Sequence, residues 1–104
     1  MRKAVVYAHG KRAGVLKEVS ANDYHFDYDD GYNGEAISLT MPVGQRKYSF
    51  NTFPPFFEGL LPEGIMLEGL LRLSKIDQKD YFSQLMATGA DLVGAVTVEP
   101  MEDE

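Results

Sequence analysis

Lys3-Ala-Val-Val-Tyr-Ala-His-Gly-Lys-Arg-Ala-Gly-Val-Leu-Lys-Glu-Val-Ser20 decides the fold. Residues 3–9 are β-branched and aromatic enough for a strand. Residues 15–20 run back beside them. Between the two, Gly10 and Gly14 bracket a turn with two positions free to take φ > 0. The stretch predicts a β-hairpin with a basic tip at Lys11 and Arg12.

Outward from the hairpin, Tyr24, Phe26 and Tyr28 alternate with His25 and Asp27. That period of two marks a half-buried strand. Residues 29–34 form a polar turn. Residues 36–41 read as a further short strand stopped by Pro42, and Lys47 to Asn51 as a brief extended segment. Pro54-Pro55 then forbids regular pairing, since neither ring has an N–H to donate.

The C-terminal half changes period. Pro62 suits the first turn of a helix, where a missing N–H costs nothing. Glu63 follows where negative charge is favoured. Met66, Leu67, Leu70, Leu71 and Leu73 recur at helical spacing. Asp77 is the expected N-cap of a second helix, whose apolar face is Tyr81, Phe82, Leu85 and Met86. Gly89 fits the position past a helix end that requires φ > 0. Residues 92–98 form the last strand, ended by Pro100 and followed by an acidic tail expected to fray. Strands, then helices, then one returning strand give an α+β fold. Its mostly antiparallel sheet has about five strands, with two to three helices packed on one face.

Phe56-Phe57-Glu58-Gly59-Leu60-Leu61-Pro62-Glu63-Gly64 is the most unusual block. Four large apolar side chains sit among acids, glycines and a proline. A surface loop does not carry Phe-Phe and Leu-Leu, and a core helix does not carry that density of breakers. The block suits a shaped contact surface, against this domain or another protein.

The chain has 104 residues and no cysteine. Its length fits one domain spanning 1–104 with a core of its own. Disulfides, thiolate metal sites and cysteine nucleophiles are excluded. No run approaches the roughly 20 apolar residues of a membrane span. No secretory signal is visible, so the cytoplasm is the expected compartment. The net charge is −6. The first 17 residues carry five basic residues and no acid, so the remainder holds five against sixteen acids, a net of −11. Such a surface repels nucleic acid and attracts basic partners.

Specific chemistries fare poorly. The glycines never form a phosphate loop followed by Lys-Ser or Lys-Thr, and no kinase catalytic-loop or Asp-Phe-Gly motif occurs. His9 and His25 lie on different strands. Asp27 to Gly31 lacks the spacing and closing Glu of a calcium loop. No nucleophile, base and orienter can be assembled, so an enzyme is not expected, and no cofactor or metal is. Glu58 and Glu63, flanking the Leu-Leu pair, are explained by capping or exposure. Lys11 and Arg12 fit at most a supporting phosphate contact within a larger complex.

The hairpin, Phe26-Asp27-Tyr28, Ile37-Ser38-Leu39, Met41-Pro42, the block from Pro55 to Gly64, and Gly89-Ala90-Asp91-Leu92-Val93-Gly94-Ala95-Val96 resemble, in that order, the N-terminal subdomain of HipA-type serine/threonine kinases. Nearly the whole chain is covered, and the last two blocks are the specific parts. Ending where the kinase core would begin, at an acidic run resembling a natural terminus, the chain is similar to the HipS type. HipS proteins are stand-alone subdomains in tripartite HipB–HipS–HipT toxin–antitoxin systems. The resemblance implies two partners: a HipT-type kinase, and a HipB-type helix-turn-helix protein through which operator DNA is met indirectly. It implies a non-catalytic module that binds and restrains the kinase, with Phe57, Glu58, Leu61, Glu63, Ile65 and Met66 as contacts. An assembly subunit bridging kinase and repressor, with Lys11 and Arg12 on that side, is the alternative. A Trp near the turn would be the natural anchor; this chain has no Trp and offers Ile65 and Met66 there.

Overall fold

The computed structural model describes residues 1–92 and 94–101. Five strands form one antiparallel sheet: β1 (Arg2–Ala8), β2 (Lys11–Ser20), β3 (Asp23–Tyr28), β4 (Lys47–Phe50) and β5 (Val96–Met101), in the order β4-β3-β2-β1-β5. Three helices complete it: α1 (Pro55–Glu58), α2 (Gly64–Ser74) and α3 (Tyr81–Thr88), the last running into a 3₁₀ turn over Gly89–Asp91. The expected α+β class therefore holds.

The hairpin turn is tighter than expected. His9 and Gly10 both take positive φ, 52° and 78°, as a two-residue turn requires to match strand twist. Lys11 and Arg12 thus belong to β2 rather than to a loop, and Gly14 lies inside that strand. The register shifts between Val6 and Tyr7, which pair with Gly14 and Arg12, so Ala13 is the extra residue of a bulge. A Cβ on Gly14 would sit 2.2 Å from the Asp27 carbonyl oxygen and 2.9 Å from the Phe26 ring. Close approach of β3, not backbone freedom, demands that glycine.

One row of side chains crosses the whole sheet. Pro100 pairs with Ala4, Ala4 with Leu16, Leu16 with Phe26, and Phe26 with Tyr48. Beside it runs Val98, Val6, Gly14 and Tyr28. Onto this face pack Phe57 of α1 and Phe82 and Leu85 of α3, all buried. Pro100 does not end β5 as expected. It sits within the strand, which is at the sheet edge where a missing N–H breaks no ladder. Val93, expected in this strand, and the acidic tail at 102–104 lie outside the described residues.

Residues 36–41 do not form the expected strand. Ile37 and Met41 are buried, as an extended segment would bury them. Their backbone, however, is satisfied elsewhere. The Ile37 N–H donates to the Tyr28 hydroxyl, which itself donates to the Met41 carbonyl. The Met41 N–H closes a turn onto Ser38. Tyr32 stacks on Tyr28 with ring planes 1° apart, and Arg46 donates to the carbonyls of Tyr32 and Asp30. Burial raises the pKa of both tyrosines, further from the neutral range in which their hydroxyls are already protonated donors.

The helix ends differ from expectation for clear reasons. Pro55, not Pro62, occupies a first helical turn, and Glu63 is the residue before α2. Asp80, not Asp77, caps α3, accepting from the Ser83 N–H at 3.1 Å. Asp77 instead accepts from the Lys79 N–H. Gln84, 1% exposed, donates to the carbonyls of Asp77 and Gln78, fixing that connection from inside. Gly89 has φ of −59° and needs no left-handed freedom. A Cβ there would lie 2.2 Å from the Val98 carbonyl oxygen.

Arg2 clamps the sheet to α3. It forks onto Glu18 at 2.7 and 2.8 Å, reaches Asp80 at 3.0 Å and Ser83 Oγ at 2.6 Å, and lies 5.0 Å over the Phe82 ring. Burial acts to raise the Asp80 pKa, but the Arg2 guanidinium and the Ser83 donors outweigh it and hold the carboxyl below the ordinary range. A depressed folded-state pKa adds stability above the unfolded value of about 3.9, and that stability is lost as pH falls through the folded value. Unfolding midpoints of wild type and Asp80→Asn should therefore converge below about pH 4. Arg2→Ala should cost about 1–2 kcal/mol in chemical denaturation at neutral pH, the clamp being partly exposed. The two glycine environments predict opposite signs. Gly89→Ala should destabilise by about 1–3 kcal/mol through overpacking. Gly69→Ala, in the open interior of α2, should stabilise the monomer by about 0.5–1 kcal/mol.

Candidate partner-binding surface

The Phe56–Gly64 block resolves into two parts. Pro54 and Pro55 start α1, whose single turn carries Phe57 inward until it is 0% exposed. Its ring packs 5.9 Å from Phe26 and 5.2 Å from Phe56. The N–H groups of Leu60 and Leu61 then donate to Phe57 and Glu58, which tucks Leu61 into the core at 9% exposure. Gly64 turns the chain with φ of 61°, a conformation that favours glycine. From there α2 runs outward.

Of the six expected kinase contacts, two, Phe57 and Leu61, are buried in the core cluster, because α1 is pinned against the sheet. Glu58, Glu63, Ile65 and Met66 are exposed. Ile65 is 86% and Met66 75% exposed. The Glu63 side chain makes no capping hydrogen bond to α2. No described residue of α2 is buried, although six of its eleven residues are large and apolar. Leu73, 86% exposed, belongs to the same surface and was not among the expected contacts. Its signal was present: it lies seven residues after Met66, two turns along one helix face.

Met66 also lines a groove of about 400 Å³ with Gly59, Leu60, Pro62, Ala87, Thr88 and Leu92. The surface therefore combines projecting apolar side chains with a groove beside them. Glu63 and Glu68, either side of Met66 in the chain, are exposed, and the exposed Glu58 lines a separate hollow with Tyr24, Phe53 and Tyr81. Three carboxylates away from this surface are engaged: Asp27 with Lys17 at 2.7 Å, Asp29 with Arg12 at 2.8 Å and Asp80 with Arg2.

The basic hairpin tip is partly neutralised by that Arg12–Asp29 pair. Lys11 stays exposed, and both line a shallow hollow with Gly31, Tyr32 and Asn33. The charge that the sequence placed at the tip is thus met by the acidic turn beside it.

Comparison with known proteins places this geometry. The HipA N-terminal domain family matches residues 4–99, and the chain belongs to that family. An uncharacterised protein of Haemophilus influenzae is 31% identical over 99 residues, covering 95% of this chain and 92% of the relative. A putative kinase of Sinorhizobium fredii, Y4dM, is 37% identical over 109 residues, but the chain spans 27% of its length. A solved structure, the N-terminal domain of HipA toxin, superposes with a TM-score of 0.80 at 30% identity, covering all of this chain and 96% of that one. The domain is not the catalytic kinase part. Among the described residues no helix is long and apolar enough to cross a membrane.

Surface and foundation should separate in mutagenesis. The double variant Ile65→Asp, Met66→Asp should keep the folded-state circular dichroism and shift stability by no more than about 0.5 kcal/mol per site, as exposed changes do. Phe57→Ala should cost about 3–5 kcal/mol, the usual loss for a buried Phe.

Proposed function

We propose that this chain is a HipS-type module that binds a HipT-type serine/threonine kinase and restrains it. The observation that carries the reading is α2, an apolar helix left on the surface and entered through a glycine turn that presents Ile65 and Met66. A soluble domain rarely leaves such a patch uncovered without an interaction to serve. Membership of the HipA N-terminal domain family supports a kinase as the kind of partner, since a matching stretch makes up 27% of the putative kinase Y4dM. Glu58, Glu63 and Glu68 suit a partner whose pocket is rimmed by basic residues. Ile65 and Met66 take the anchoring position, where a desolvated apolar side chain contributes on the order of 2 kcal/mol.

A bridging role between the kinase and a HipB-type repressor is the second reading, motivated by the basic hairpin. Pairing of Arg12 with Asp29 leaves mainly Lys11 for such a contact, so the inhibitor reading is favoured. Co-expression with an adjacently encoded kinase decides between them. Growth should be rescued by this chain alone, and rescue and pull-down should both be lost with Ile65→Asp, Met66→Asp. Rescue that requires the helix-turn-helix protein, or undiminished binding by the folded double variant, would sink the inhibitor reading.

A further inference from the structure

We infer that α2 is also a self-association surface, on which two copies of this chain pair through their α2 helices in antiparallel, two-fold fashion. Met66, Gly69 and Leu73 stand at i, i+3 and i+7, one stripe along the helix, with Ile65 on its flank. Both Met66 and Leu73 are exposed. Glu68 and Arg72, one turn apart, border the stripe beyond Ile65. No ion pair among the described residues engages either of them.

Gly69 is the second observation. A Cβ built there meets nothing within 4 Å, and no positive φ is required of it. A glycine inside a helix costs about 0.5–1 kcal/mol relative to alanine. Among the described residues no contact offsets that cost, whereas a glycine at a crossing point lets two helices approach closely.

The pattern is self-complementary, as an isologous interface must be. A two-fold axis near Gly69 sets Met66 of one copy against Leu73 of the other. It also brings Glu68 of each copy to Arg72 of its mate, so two ion pairs of correct sign form without any other partner. The helix is only about 16 Å long, and the interface falls below the roughly 1,000 Å² of a stable complex. The pair is therefore weak and concentration-dependent. Met66 belongs to both surfaces, so pairing and kinase docking exclude one another; that consequence alone rests on the function proposed above.

Sedimentation velocity over a concentration series at physiological salt tests the pairing on the isolated chain, without a kinase. Wild type should pass from monomer to dimer. Leu73→Asp should remain monomeric while keeping its circular dichroism. Glu68→Arg and Arg72→Glu should each weaken association roughly five- to tenfold. The double swap Glu68→Arg, Arg72→Glu should restore it. Wild type that stays monomeric to about millimolar concentration overturns the inference, as does a dimer indifferent to Leu73→Asp. Single swaps without effect, or a double swap that fails to restore, overturn the antiparallel arrangement. None of these outcomes touches the kinase reading, which stands or falls in co-expression.

Discussion

The contact of Phe57 on Phe26 is the constraint from which the rest of the molecule follows. Phe26 sits in the row that crosses all five strands, and its ring leans over Gly14, where no side chain fits. Phe57 reaches that ring only because two prolines and one turn of helix aim it inward. Once α1 is pinned in this way, the chain must climb away from the sheet. Leu61 closes the core, Gly64 reverses the backbone, and α2 is delivered to the surface. Exposure of α2 is thus a consequence of how the core is sealed.

The second fastening is electrostatic. Arg2 ties the first strand to Glu18 beside it and to the cap of α3, 78 residues away in sequence but adjacent in space. Gln84 secures the preceding connection from within, with both of its amide hydrogens placed on carbonyls. Neither fastening involves α2. Its C-terminal end relies on Lys75 in a left-handed conformation rather than on side-chain bonds. The domain is therefore firm around the sheet, α1 and α3, and leaves α2 the element least committed to the interior.

How much of this was legible in the sequence depended on whether the deciding force was local. The alternation of Tyr24, Phe26 and Tyr28 and the hairpin were readable because burial follows a period of two. So was the change to helical spacing after Pro62. The stretch from Ala36 to Met41 carries the residues of a strand, yet it is a loop because one distant hydroxyl, that of Tyr28, satisfies its backbone. Gly14 and Gly89 were read as conformational glycines. Both are instead spatial ones, each facing the carbonyl of a neighbouring strand. Asp77 and Asp80 are both credible caps by type, and the contacts that favour Asp80, from Arg2 and from Gln84 on the preceding connection, come from elsewhere in the fold. In the candidate surface, Ile65 and Met66 were readable from their place beyond a glycine turn. The burial of Phe57 and Leu61 was not readable, because apolar type does not say which side of a short helix faces the sheet.

Within α2, composition and exposure pull against one another. Six large apolar residues in eleven are more than solubility favours, and the overall charge of −6 only partly compensates by repulsion. A helix that served the fold alone would bury its apolar stripe or replace it with polar side chains. A helix that served one partner alone would have no use for an open glycine between Met66 and Leu73, flanked by an acid and a base one turn apart. The combination makes sense where the surface spends part of its time covered by its own copy. Under the proposed pairing, weak association would hide the apolar stripe from indiscriminate contacts, and a partner with deeper complementarity to Ile65 and Met66 would displace it by mass action. On this view the low commitment of α2 to its own core is what permits both contacts. A mutation that bound α2 more tightly to the sheet would stabilise the domain while weakening each of its interactions.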